Sequence, residues 1–534
     1  MSHSGNGSVG TPCELAWASG ELMADILSQV SPTVGVLELL TPVCNSRLGL
    51  ALVSLSHLNM PKNGTKALIH SSVWGILDAG DVSGNGGIKM LLKFKCDNFK
   101  AFCNGFEFNM VPEKRMTELN YSILTERIGK QKINALSSSV IYGPNAAGKT
   151  SIVNAMSAMR QVVLQGGVKD VGGKLAEGHI SADMLIPFAF QDEARPVRFD
   201  VSFTSGGVQY RLDIAFYLGR FLEKAVKPYI ISEQLYINGE LIYDRQQDKV
   251  KKLSLESVKA FLNIGYTARE AEQTQKIMSE NLVQDSLLLT TDFNSFCSKK
   301  IVNEIEMWFR KQFIVVNSSD HLRFFPVLPD DENNAFMDES INQIAQEAGI
   351  IGSAFVYVQD AKAHTKKLIS LIQPNNSENP YGIDADQIES VGTMRLISIM
   401  PVVISALKEG AVLVMDELDA SLHPMIIMNL ISIFHNDEVN TRGAQLIFNT
   451  HNPIYLNHNL LRRDEIKFVE RDRETKSSTL YALSDFKANG EASVRKTSDY
   501  MKNYFINRYG AIEDIDFTDI VSDLLRGETA DEQK

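Results

Sequence analysis

Hydrophobic and polar residues recur along this chain in two patterns. Short apolar runs bounded by Gly, Asn or Ser predict strands, and apolar residues spaced three or four apart predict helices. Residues 139–142 (Ser-Val-Ile-Tyr) read as a strand, and Ile152, Val153, Met156, Met159 and Val163 then mark one face of a helix. Upstream, 92–94 and 106–108 predict early strands. Residues 197–203 and 208–217 predict a hairpin across Ser205-Gly206-Gly207. Residues 230–237 and 241–243 flank Asn238-Gly239, a strong hairpin signal. From about Leu253 to Ile372 the pattern is mostly helical, with an acidic loop at Asp330-Asp331-Glu332. Gln373-Pro374-Asn375-Asn376-Ser377 marks a linker. Strand–helix alternation then returns: a helix over 393–407, a continuous apolar run over 411–415, a helix over 424–434 and a buried strand over 445–449. Unalternated apolar runs suit strands covered on both faces. Residues 466–470 and 478–481 predict edge strands.

The first 89 residues differ from the rest. They carry only ten charged residues and no lasting period, so they are expected to be a poorly ordered extension or a mis-started segment, with a small accessory domain as the alternative. The remainder divides into an N-lobe over 90–250, a mainly helical insert over 251–378, a C-lobe over 379–490 and a tail over 491–534.

Candidate chemistry is densest just after the strand at 139–142. Gly143-Pro144-Asn145-Ala146-Ala147-Gly148-Lys149-Thr150 is a complete G-x-x-x-x-G-K-T phosphate loop between a strand and a helix, continued by Ser151. Its backbone N–H groups can turn toward phosphates, helped by the helix N-terminus. Lys149 would reach the β- and γ-phosphates, and the Thr150 hydroxyl would ligate Mg²⁺. The apolar run at 411–415 ends in Asp416-Glu417, the pattern of a Walker B strand. Asp416 would hold Mg²⁺ through its hydration shell, and Glu417 is the candidate general base. Their long separation in sequence from Lys149 implies a nucleotide-binding fold split into two lobes.

Three further positions qualify this picture. Ser390, Gly392 and Thr393 open the helix predicted at 393–407, where they form either an anion site or a plain N-cap. His451 ends a predicted strand, where a neutral imidazole could meet the γ-phosphate or an attacking water. Gln191, after an apolar run at 186–190, is a candidate for sensing Mg²⁺ or water. Arg395 either contacts phosphate or locks its helix.

Here the chain resembles a known group. Asp416-Glu417-Leu418-Asp419-Ala420-Ser421-Leu422-His423-Pro424 is similar to the Walker B and D-loop of ABC-type ATPases in the RecF, SMC and OLD neighbourhood. Glu389-Ser390-Val391-Gly392-Thr393-Met394-Arg395-Leu396 resembles their signature, and Gln445-Leu446-Ile447-Phe448-Asn449-Thr450-His451-Asn452 their switch-histidine strand. Asp97-Asn98-Phe99-Lys100-Ala101-Phe102 and the closing Tyr504-Phe505-Ile506-Asn507-Arg508-Tyr509-Gly510 resemble the abortive-infection-type ATP/GTP phosphatases of phage-defence systems. The resemblance implies an α/β fold: a split ABC-type P-loop ATPase domain with a strand-rich lobe and a helical insert. It also implies ATP as substrate, Mg²⁺ as cofactor and a sandwich dimer or larger assembly. In that dimer, Ser390, Gly392 and Thr393 of one copy would meet the nucleotide of the other. A partner effector protein is expected on the same ground, with DNA as the partner in a RecF- or SMC-like alternative.

Composition narrows the classes. Net charge is −12, so no global basic field draws the chain to nucleic acid, and Lys249, Lys251 and Lys252 read as a solvated face. Five scattered cysteines, without a C-x-x-C pair, fit a reducing cytoplasm. No apolar run is expected to reach the roughly 18 residues that span a membrane. Too few residues follow Phe486 for the metal-binding nuclease module of OLD-type proteins, so Asp514, Asp516 and Asp519 read as an acidic tail.

Overall fold

The computed structural model describes residues 87–534 apart from 115, 117, 169–184, 222, 224–225, 264–266, 318–321, 324, 326–333, 361–364, 375–379, 487–497, 514 and 527–534. The expected N-terminal extension up to residue 86, the acidic loop at Asp330-Asp331-Glu332, part of the linker at 373–377 and Asp514 lie outside the described residues. The described chain forms two compact units. The larger holds 87–319, 406–420 and the residues from 427 onward, and the smaller holds 320–405 and 421–426.

The larger unit is built on a six-stranded sheet. Its strands run Phe313–Val316, Val412–Met415, Gln445–Asn449, Ser138–Tyr142, Ile466–Arg471 and Ser478–Ala482 across the sheet. The first five are parallel and the last pairs antiparallel. Ser138–Tyr142, Val412–Met415 and Gln445–Asn449 are buried at every residue, which explains their unalternated apolar character. Ile466–Arg471 is an interior strand rather than the expected edge. Its buried Lys467 breaks the apolar pattern, and that ammonium donates to the Asp464 carbonyl at 2.6 Å.

A seven-stranded antiparallel sheet completes the strand-rich lobe, from Lys249–Leu253 at one edge to Phe106–Asn109 at the other. Both expected hairpins are present in it, as Val197–Ser205 with Val208–Tyr217 and as Tyr229–Ile237 with Glu240–Gln246. Exposed Lys249, Lys251 and Lys252 lie on its outer strand, where charge discourages pairing with another chain. The helix Lys149–Gln165 buries Ile152, Val153, Met156, Met159, Val162 and Val163 in the core that also holds Phe94, Phe199 and Trp308. The Arg160 Nε, also buried, donates to the Phe309 carbonyl at 2.9 Å. The stacked rings of Phe203, Trp308 and Phe313 link the two sheets, with centroids 3.9 and 4.9 Å apart in turn.

Residues 253–372 depart from the mostly helical expectation. Helices occupy Ala268–Asn281, Lys299–Met307 and Glu339–Glu347, with π-helical turns at Leu289–Cys297 and Trp308–Gln312. Phe313–Val316, however, is the outer strand of the six-stranded sheet, and Ser353–Asp360 and Thr365–Ile372 are also strands. Short apolar runs look alike in both periods, so Phe313-Ile314-Val315-Val316 was not separable from the end of the preceding helix. Ser353–Asp360 does alternate, burying Phe355, Tyr357 and Gln359. The hairpin of Ile123–Ile128 with Gln131–Leu136 was likewise not expected.

The smaller unit carries a four-stranded antiparallel sheet in the order Asn334–Phe336, Ser353–Asp360, Thr365–Ile372, Tyr381–Asp384. The Asn342 side chain, on helix Glu339–Glu347, bonds both the N–H and the carbonyl of Phe355, at 2.6 and 3.1 Å. Asp384 caps the short helix Ala385–Ile388, and Ser370 donates to Glu389 at 2.7 Å. These contacts fix the entry to the helix Val391–Glu409. Among the described residues that helix is long and apolar enough, by length and composition, to cross a bilayer. Its buried Leu396, Ile397, Ile399, Val402 and Val403, with Arg395 and Ser398 buried among them, mark it as a core helix.

One buried ion pair organises the far side of the strand-rich lobe. Glu233 and Arg245 are cross-strand partners, both shielded from solvent, with Nη1 and Oε2 3.7 Å apart. Glu233 accepts from the N–H groups of Leu288 and Leu289 at 2.7 and 2.8 Å, capping the π-helical turn. Arg245 donates to the carbonyls of Ser286 and Val283 at 2.6 and 2.8 Å. Removing one member leaves the other charge buried. Arg245→Met is therefore expected to lower unfolding free energy by about 3–5 kcal/mol in urea titration; a loss under ~1 kcal/mol would show that the pair is not a structural anchor.

Candidate nucleotide site

The phosphate loop adopts the backbone its glycines predict. Gly143 sits at φ 157° and Gly148 at φ 109°. A Cβ on Gly143 would lie 2.4 Å from the Val469 carbonyl oxygen, so only glycine fits beside the neighbouring strand. The Lys149 ammonium folds back to donate to the carbonyls of Gly143 and Pro144, at 2.8 and 2.9 Å. Burial pushes Lys149 down to about 8, against the pull of Glu417 and Asp416.

The second half of the site arrives from the other end of the sequence. Thr150 Oγ1 donates to Asp416 Oδ1 at 3.2 Å, across 266 residues. Asp416 is buried at the end of Val412–Met415, and burial raises its carboxyl above the ordinary range although Asn449 and Thr150 donate to it. A hydroxyl beside a buried carboxylate is a hard-oxygen donor pair, which fits Mg²⁺ with water completing its shell. Glu417 follows at φ 50°, a left-handed turn that carries its side chain to the cavity. Burial, then the Lys149 charge, lowers His451, so its imidazole is neutral near pH 7.

A cavity of about 370 Å³ gathers half of the predicted residues: Asn145, Ala146, Gly148, Lys149, Thr150, Ser151, Glu417 and His451 line it. Gly143, Pro144 and Ala147 form the loop behind it, and Asp416 lies against Thr150. Gln191 does not line the cavity; its Nε2 donates to the buried Asn98 at 2.8 Å. Ser390, Gly392 and Thr393 belong to the smaller unit. There the Ser390 Oγ accepts from the Thr393 N–H at 3.0 Å, a cap at the start of Val391–Glu409, and all three residues are exposed or half-buried. Arg395 is buried one turn further on.

Four residues at the site were not singled out from sequence. Lys100, Ala101 and Arg471 line the cavity, and Arg471 Nη1 donates to the Ala146 carbonyl at 3.4 Å. Asn449, fully buried, bonds both the Asp416 carboxylate and the Glu417 N–H. The resemblance of 97–102 to a family first strand pointed near Lys100. The resemblance of 445–452 to a switch-histidine strand covered Asn449 without giving it a role of its own.

A parallel sheet ending in a phosphate loop, with an Asp-Glu pair beside the loop threonine, is the arrangement of a P-loop nucleotide-binding fold. Residues 138–457, more than half of the chain, match the family model described as "AAA domain, putative AbiEii toxin, Type IV TA system", and the chain belongs to that family. Among solved structures it is similar to the SMC head domain from Thermotoga maritima, at 12% identity and a TM-score of 0.29, covering 73% of this chain and 98% of that one. No curated protein matches.

The Lys149 geometry sets a pH dependence. A triphosphate needs the ammonium charged, and its own negative charge would raise Lys149 on binding. Affinity for ATP should therefore be flat below about pH 8 and weaken above it, with proton uptake on binding. Calorimetry at pH 9 in two buffers of different ionisation enthalpy reads that uptake. Unchanged affinity and no proton uptake at pH 9 would mean that Lys149 stays charged in the free protein.

Proposed function

We propose that this chain hydrolyses ATP with Mg²⁺, as a nucleotide-sandwich dimer or larger assembly, and that the resulting motion controls a partner effector in an anti-phage defence system. The observation that carries the hydrolytic reading is the Thr150–Asp416 contact, which sets Glu417 and His451 in one cavity with Lys149. In this reading Lys149 and the loop amides hold the phosphates. Thr150 and Asp416 hold the cation, which when bound neutralises charge on the phosphate oxygens. Glu417 takes the proton from the attacking water, and the neutral His451 hydrogen-bonds the γ-phosphate or that water. Gln191 would have to leave Asn98 to act on cation or water.

The sandwich is supported by the exposed start of Val391–Glu409. Val391 is 72% exposed between Ser390 and Gly392, and a Cβ on Gly392 would meet the Ser421 carbonyl oxygen at 2.5 Å. In this reading the exposed Ser390 and Val391 at the helix start are what a second copy's nucleotide would meet. The effector and defence roles rest on the family's abortive-infection and toxin–antitoxin description. A cytoplasmic setting accords with the three free cysteines among the described residues.

A second reading, a DNA-dependent ATPase of the RecF or SMC kind, draws on exposed Lys249, Lys251 and Lys252. Stimulation of hydrolysis by duplex DNA, falling steeply with salt, would favour it.

Two experiments test the main proposal. Glu417→Gln should bind ATP within a few-fold of the parent and lose turnover by about 10²-fold or more, whereas Lys149→Ala should weaken binding itself. Retained turnover in Glu417→Gln would remove that residue from the mechanism. Light scattering of Glu417→Gln should show a mass increase with ATP–Mg²⁺, abolished by Ser390→Arg; a mass fixed at monomer would overturn the sandwich.

A further inference from the structure

The order of strands places one side chain between the two halves of the site. Gln445–Asn449 lies between Val412–Met415 and Ser138–Tyr142, parallel to both. Phe448 is in register with Met415, so Asn449 falls beside Asp416, one step beyond the paired residues. Its Nδ2 donates to Asp416 Oδ1, and its Oδ1 accepts from the Glu417 N–H at 2.5 Å. The orientation of the amide is decided by these partners: reversing it would set its NH₂ against the Glu417 N–H.

The next two residues continue the lacing. Thr450 Oγ1 donates to Asp419 Oδ2 at 2.6 Å, and His451 lines the cavity. Glu417 sits at φ 50°, a conformation that non-glycine residues seldom adopt without external support. Asn449 supplies a hydrogen bond to that turn from a fully buried position.

We propose that Asn449 is a positioning residue that holds the Asp416 carboxylate and the Glu417 backbone in one arrangement, tying cation binding and the general base to the strand that ends in His451. The inference rests on the hydrolytic reading for its consequence in turnover, but its claim about Asp416 concerns cation binding alone. A carboxylate that loses an orienting donor can turn, and outer partners of metal ligands typically carry tenfold to 100-fold effects on metal affinity or activity. A purely packing role for Asn449 predicts instead a less stable protein with an unaltered cation site.

The test uses the full chain and Mn²⁺ as the metal probe, with ATP present, on a background of Glu417→Gln so that nucleotide persists. Asn449→Ala removes both bonds and leaves a void; Asn449→Leu removes both bonds while keeping most of the volume. Both should weaken Mn²⁺ binding by about tenfold or more, with metal-free nucleotide binding within a few-fold of the parent. The effect should vanish when Asp416→Ala is already present, since Asn449 then has no carboxylate to orient. Mn²⁺ affinity unchanged in both variants, or an equal loss with Asp416→Ala present, would overturn the proposal. Turnover of the same Asn449 variants with Glu417 intact should fall by about tenfold to 100-fold. If Glu417→Gln itself retains turnover, the hydrolytic reading fails, while the Mn²⁺ comparison still decides the role of Asn449.

Discussion

Everything at this site depends on one contact, the Thr150 hydroxyl on the Asp416 carboxylate, between residues 266 apart in sequence. Neither group is a cation site alone. Thr150 is on the first turn of a helix whose position is set by a buried apolar face, and Asp416 ends a strand buried at every residue. Both elements belong to one close-packed unit, so the contact inherits the rigidity of the core rather than that of its own hydrogen bond, which in isolation contributes only about 1 kcal/mol. Between the two stretches the chain builds five of the seven strands of the antiparallel sheet, the helices and π-turns at 268–312 and most of the smaller unit. Trp308, stacked between Phe203 and Phe313, packs that antiparallel sheet against the strand next to Val412–Met415.

The charge arrangement follows from the same burial. Lys149 and Asp416 are each pushed toward their neutral forms by desolvation, and each is partly held charged by its neighbours. A site in this condition favours a ligand that brings both signs of charge together. A triphosphate answers Lys149, and a hard cation answers Asp416. His451 is kept neutral by burial and by Lys149, so it can exchange hydrogen bonds without adding a charge.

What could be read from the sequence was whatever is local. The phosphate loop is contiguous, its glycines have backbone reasons that Gly143 and Gly148 bear out, and the run ending in Asp416 is apolar because both faces of its sheet are covered. Both expected hairpins formed where Gly206-Gly207 and Asn238-Gly239 placed them. The losses came where strand order matters. Phe313–Val316 continues an apolar helical stretch and becomes a strand only because an edge of the parallel sheet is open to receive it. Ile466–Arg471 looked like an edge because Lys467 interrupts it, yet a carbonyl satisfies that ammonium inside the fold. The role of Asn449 was unread for the same reason: it lies in the stretch that resembles a switch-histidine strand, but its bond to Asp416 follows only from the order of the strands.

The central claim is that Thr150 and Asp416 act as one cation site. A double-mutant cycle on Mn²⁺ binding, read by electron paramagnetic resonance with ATP bound to Glu417→Gln, measures this directly. Thr150→Ala and Asp416→Ala should each weaken Mn²⁺ binding by about tenfold or more, and the double variant should lose clearly less than the product of the two. Independent, multiplicative losses, or a Mn²⁺ affinity that ignores either substitution, would contradict a shared site.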